Sequence, residues 1–154
     1  MPGAPATTEK AKPDMTETYE IAVFEGDGIG PEITTPTIAL LKQLAAASTG
    51  YDLRFVTLPA GAGHYARTGE SLPAESLRVA AAADAILLSA MGLPDVRYPD
   101  GTEISPQIEL RMAFDLFAGI RPVSVRQGQA GPLTLPEGRE IDFVLVREST
   151  EGLF

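Results

Sequence analysis

The segment that most constrains this chain runs from Tyr19 to Glu32: an apolar stretch, Tyr19 to Phe24, feeds three alternate glycines, Gly26, Gly28 and Gly30, and Pro31-Glu32 then opens a helical period. This order predicts strand, tight loop, helix. Glycines tolerate positive φ and close backbone approach, and the free N–H groups of a following helix favour a phosphate or carboxylate. A glycine-rich turn that merely reverses the chain is the other reading the spacing allows. The usual dinucleotide fingerprint is excluded, because G-x-G-x-x-G begun at Gly26 or Gly28 would need glycine where Pro31 and Ile33 stand.

Downstream, the periodicities alternate. A helix is expected from about Glu32 to Ala47, with Pro36 demanding either an irregular first turn or a start nearer Thr35, since an interior proline costs about 3 kcal/mol. Tyr51 to Leu58 reads as a strand, Gly61 to Gly69 as a short helix or turn, Leu72 to about Ala83 as a helix, and Ala85 to Ser89 as a strand buried on both faces. Strand, helix, strand, helix, strand is the rhythm of an α/β fold with a parallel sheet. Ala90 to Pro106 is a long loop at the carboxyl end of a strand, where ligands sit in open α/β sheets. A helix is expected from Gln107 to Phe117, then an extended segment from Gly119 to Val125, a loop from Gln127 to Arg139, and a strand from Ile141 to Val146 ending at Arg147-Glu148.

Composition narrows the function. With 44% hydrophobic residues in 154, the chain can build a core. A net charge of −9 with 12 Lys+Arg argues against a nucleic-acid or anionic-membrane partner, although a local arginine cluster could hold a small anion. No cysteine is present, which removes disulfides, thiolate nucleophiles and cysteine-based zinc sites and suits a reducing cytoplasm. Residues 1–18, rich in Ala, Pro and Thr, read as a disordered tail rather than a secretory or transit signal, and no run approaches a membrane span. His64, the only histidine, lies in a polar turn and reads as structural. Asp27, Asp84, Asp95 and Asp100 read as solvated loop carboxylates, so no metal ligand is assigned within the chain. Taken singly, Arg111 reads as the partner of Asp115 in an i,i+4 surface ion pair, while Arg147, at a strand end, is more telling.

The joint pattern resembles the isocitrate/isopropylmalate dehydrogenase family, NAD(P)-dependent oxidative decarboxylases of 2-hydroxy acids that include tartrate dehydrogenases. The resemblance covers about Tyr19 to Phe154 and is carried by Glu25 to Glu32, Ala83 to Leu88, Gly101 to Gln107, Leu110-Arg111, Asp115 to Pro122 and Val146 to Phe154. It implies part of a three-layer αβα fold, incomplete in this chain, with residues 19–118 in the amino-terminal half of the large domain and 119–154 as opening strands of a second. It implies that Arg111, Arg121 and Arg147 hold the carboxylates of a malate-like substrate, for which bidentate, permanently charged guanidinium groups are suited. Ser105 and Gln107 stand where family members contact substrate or the nicotinamide side of the cofactor, and Gly28, Ile29, Gly30, Pro31 and Glu32 would lie beside the dinucleotide. NAD or NADP would take the hydride, and Mg²⁺ or Mn²⁺ would polarise the C2 oxygen from ligands outside this chain. A homodimer is expected of the full-length protein.

Two departures matter. The lysine and paired aspartates that the resemblance implies would begin after Phe154, so this chain alone is expected to be inactive and to expose sheet surface meant for other elements. Phe154 stands where the catalytic tyrosine usually falls, and it has no hydroxyl to give a proton. Both suit an alternative: a catalytically inactive remnant or regulatory organic-acid-binding protein. An unrelated α/β phosphate binder is a third reading. The loop from Met91 to Pro106 offers Arg97 and Tyr98 but no clear apolar pocket for an isopropyl group, which leans against isopropylmalate.

Overall fold

A computed structural model describes residues 17–48, 50–128 and 135–151. Three parallel strands, β1 (Glu17–Phe24), β2 (Tyr51–Thr57) and β3 (Ala85–Leu88), form a sheet in the order β2-β1-β3. Helix α1 (Gly30–Ala47) makes the β1 to β2 crossover, and α2 (Ala62–Thr68) with α3 (Ala74–Ala82) makes the β2 to β3 crossover. Helix α4 (Pro106–Ala113) leads to an antiparallel ribbon of β4 (Ala118–Val125) and β5 (Ile141–Glu148). The fold is α/β with a parallel sheet.

Side-chain alternation along β1 explains the layers. Ala22 and Phe24 point to one face, where they pack with Leu58, with Ala80 of α3 and with Leu110 of α4. Val23 points the other way and is equally buried. Its face is covered by α1: Lys42 of that helix lies over the ring of Phe55, in register with Ile21, and Ile33 lines one recess with Leu87, in register with Val23. Burial on both faces is why β1 carries a near-continuous apolar run, whereas β3, expected to be buried on both faces, is an edge strand of the described sheet and leaves Ala85 and Leu88 exposed.

Several boundaries differ from the sequence reading. Strand β1 starts at Glu17, because Glu17 and Thr18 continue the pairing with Tyr51 and Asp52, so the last two residues of the expected tail are strand; residues 1–16 lie outside the described residues. Helix α1 starts at Gly30, two residues before the expected Glu32, and runs unbroken through Pro36, so the alternative start nearer Thr35 is not taken. Glu32 and Pro36 both lie on its exposed side, so the carbonyl that Pro36 cannot serve is left to water, while the Thr34 and Thr37 hydroxyls donate to Gly30 O and Ile33 O. Helix α4 ends at Ala113, short of the expected Phe117, since Asp115 takes φ 49°. The i,i+4 geometry that would join Arg111 to Asp115 therefore does not exist, and no ion pair links them among the described residues. No helix among the described residues is long and apolar enough to cross a membrane.

Candidate functional site

The glycine loop is built around Asp27, which is buried. Its carboxylate accepts the N–H groups of Ala62 (2.7 Å) and Gly63 (2.8 Å) at the start of α2 and of Gly92 (2.9 Å) after β3. Its own N–H donates to Ala90 O at 2.8 Å. One side chain thus ties together the loops at the carboxyl ends of β1, β2 and β3. The reading of Asp27 as a solvated acid is therefore wrong, and Asp84 and Asp100 are likewise engaged, accepting the Glu20 and Thr102 amides. The sequence signal was weak because the three donors lie far along the chain.

The glycines have separate duties. At Gly26, where φ is +74°, a Cβ would stand 1.9 Å from Ala90 O, so the residue is fixed by close backbone approach. Gly28, at φ +57°, has no atom within 4 Å of that position and leaves its backbone open to a ligand. Ile29 precedes the helix, and Gly30, Pro31 and Glu32 form the first turn of α1.

The three arginines come from three elements: Arg111 from the last turn of α4, Arg121 from β4 and Arg147 from β5. Antiparallel register sets Gly119 opposite Arg147 and Arg121 opposite Leu145, so Arg121 and Arg147 share one face of the ribbon. Glycine at 119 lets the ribbon close tightly opposite Arg147, since a Cβ there would stand 3.1 Å from Ser149 Oγ and 3.2 Å from Arg147 O. The result is a recess of about 250 Å³ lined by Arg111, Arg121, Arg147, Gly119 and Ser149, with Leu116, Ala118 and Ile120. Beyond β5, the Glu148 carboxylate accepts the Thr150 and Glu151 amides and the Thr150 hydroxyl, which hold its pKa down to about 2.

Ser105 and Gln107 line a different recess, of about 270 Å³, formed with Met91, Gly92, Leu93, Arg97 and Ile104. Gln107 Oε1 is buried and has no hydrogen-bond partner among the described residues. Along α4, Gln107 of this recess and Arg111 of the arginine recess stand one turn apart on the same face. Gly28 to Glu32 line neither recess. His64 lies in α2, half-buried, beside a further recess with Glu25 and Arg67. Phe154 lies outside the described residues. Among the described residues no group of three His, Cys, Asp or Glu side chains could hold a metal ion.

Sequence comparison matches residues 20–154 to the profile of the isocitrate/isopropylmalate dehydrogenase family. The 3-isopropylmalate dehydrogenase of Beutenbergia cavernae is 42% identical over 139 residues, covering 90% of this chain and 39% of that protein. That of Clavibacter michiganensis subsp. michiganensis is 40% identical over 141 residues, with the same coverage of 90% and 39%. Among solved structures, isocitrate dehydrogenase from Methylococcus capsulatus superposes with a TM-score of 0.67 at 26% identity, over 88% of this chain and 36% of that one. A beta-decarboxylating dehydrogenase from Thermococcus kodakarensis gives 0.57 at 28% identity, over 83% and 40%. The chain thus spans about two fifths of the length of the curated relatives it matches.

Proposed function

From the premise that this chain belongs to the isocitrate/isopropylmalate dehydrogenase family, we propose that it is the amino-terminal portion of an NAD(P)-dependent, metal-dependent dehydrogenase that oxidises and decarboxylates a malate-like 2-hydroxy acid. The observation that carries this reading is the convergence of Arg111, Arg121 and Arg147 on one recess. Guanidinium forks from three separate elements, gathered on one recess of a chain of net charge −9, suit a ligand with two or more carboxylates. In this reading residues 19–118 belong to a large α/β domain and 119–154 open a second.

Bound in that recess, the acid would have its carboxylates fixed by the guanidinium forks and its C3 substituent directed along α4 toward Ser105 and Gln107. NAD(P), lying beside Gly28 to Glu32, supplies the hydride acceptor, and the open backbone at Gly28 fits such a neighbour. The described residues do not by themselves fit a Mg²⁺ or Mn²⁺ site, so its ligands belong elsewhere and no step is routed through it. Phe154 cannot protonate an enol, and water or another group must do so. A homodimer in the cytoplasm completes the proposal.

The unpartnered Gln107 oxygen favours a C3 substituent that donates a hydrogen bond, as in a tartrate-like or other polar acid, because leaving it unmet against an alkyl group costs about 1–3 kcal/mol. The names of the relatives favour isopropylmalate as a second reading. The missing tyrosine hydroxyl favours a third, a regulatory binder of organic acids without turnover. Assaying the complete gene product with NAD and NADP against malate, tartrate, isocitrate and isopropylmalate in the presence of Mg²⁺ separates them. Turnover of a polar diacid with product decarboxylation is expected; binding without reduction of either cofactor would leave only the binder.

A further inference from the structure

The segment 94–103, between β3 and α4, folds back on itself. Arg97 and Glu103 face each other in a bridge and pair at 3.2 Å, the Tyr98 N–H donates to Thr102 O at 2.9 Å, and the Gly101 N–H donates to Tyr98 O at 2.8 Å. Below this turn the Tyr98 hydroxyl donates to Ser71 Oγ at 2.8 Å, and the Ser71 hydroxyl donates to Glu109 Oε1 at 2.9 Å. Tyr98 Oη also lies 3.3 Å from the same carboxylate oxygen. The Tyr98 ring stands edge-on to Tyr65 of α2, with centroids 5.1 Å apart. Two segments, those of Ser71 and Tyr98, therefore meet at one oxygen of α4, and Ser71, between them, is buried.

We propose that Tyr98 is a positioning residue for both recesses: through Ser71 and Glu109 it grips the back of α4 and sets where Gln107 and Arg111 stand. Helix geometry supports the division of labour. At about 100° per residue, Gln107 and Arg111 lie on one face, and Glu109, two residues from each, lies roughly 200° around on the other. A pull on Glu109 thus fixes the rotation of α4 without occupying either recess. The catalytic consequence rests on the dehydrogenase reading; the mechanical link does not.

The test is Tyr98→Phe in the complete gene product, which keeps the ring against Tyr65 and removes one hydroxyl. The KM for the hydroxy acid is expected to rise about fivefold with kcat held within about twofold, because ground-state and transition-state carboxylates are held by the same arginines. Ser71→Ala should reproduce the effect, and the double variant should add little to either single change. Without ligand, amide exchange across residues 106–111 should quicken about fivefold. Unchanged exchange in Tyr98→Phe overturns the link to α4. Faster exchange with an unchanged KM makes Tyr98 merely structural and overturns the positioning role. An inactive wild-type protein would sink the dehydrogenase reading alone, and calorimetric affinity for malate then replaces KM as the readout.

Discussion

Strands β1 and β5 are built from similar residues and meet opposite fates. Ala22, Val23 and Phe24 are fully buried, whereas Phe143, Val144, Leu145 and Val146 are 49%, 58%, 48% and 62% exposed. The difference lies in what covers them. Helix α1 lies on one face of β1 and α3 with α4 on the other, while β4 and β5 form an isolated pair with apolar side chains open on both faces. A two-stranded ribbon has too little cross-strand area to stabilise itself, so its rigidity depends on neighbours. The arginine recess sits at the junction of these two regimes: Arg111 belongs to the packed body and Arg121 and Arg147 to the ribbon.

The contrast is broken most directly by truncating matched side chains. Phe24→Ala should cost about 3–5 kcal/mol of unfolding free energy, because a filled site in a covered sheet becomes a cavity. Phe143→Ala in the same chain should cost under about 1 kcal/mol. Chemical denaturation of both variants checks this; equal losses would mean that the ribbon is packed as firmly as the body.

How far the sequence reveals each region follows the same line. The parallel body was legible because covered strands leave continuous apolar runs and their crossovers leave helical periods; even the Gly26 turn had a local signature. At Pro36 the sequence left a helix start nearer Thr35 open, because solvation of the exposed Glu32 carbonyl that the proline cannot serve leaves no trace in the periodicity. The recess was legible only through family resemblance, since nothing local joins Arg111 to Arg147. Asp27, Gly119 and the Tyr98–Ser71–Glu109 chain were invisible for a related reason: each acts on partners brought near only by the fold.

A smaller effect sharpens the comparison at the end of the ribbon. Glu148 is held down to about pKa 2 by amides and a hydroxyl from the next three residues, a local device that needs no packed core. A carboxyl whose folded pKa is lowered contributes above its unfolded value, near 4.5, and loses that contribution as pH falls toward 2. Carbon-detected NMR titration should find Glu148 still ionised at about pH 3, where ordinary glutamates are protonated. A midpoint near the ordinary glutamate value would mean that the turn after β5 is not formed.

The central claim is that three guanidinium groups from two differently packed regions act on one ligand. Calorimetric titration of malate or tartrate into the complete gene product tests it most directly, comparing wild type with Arg111→Gln, Arg121→Gln and Arg147→Gln, and with Arg78→Gln, on the exposed side of α3, as the control. Each recess variant should lose about tenfold or more in affinity while the control stays at the wild-type value. Unchanged affinity in any two of the three would contradict the claim.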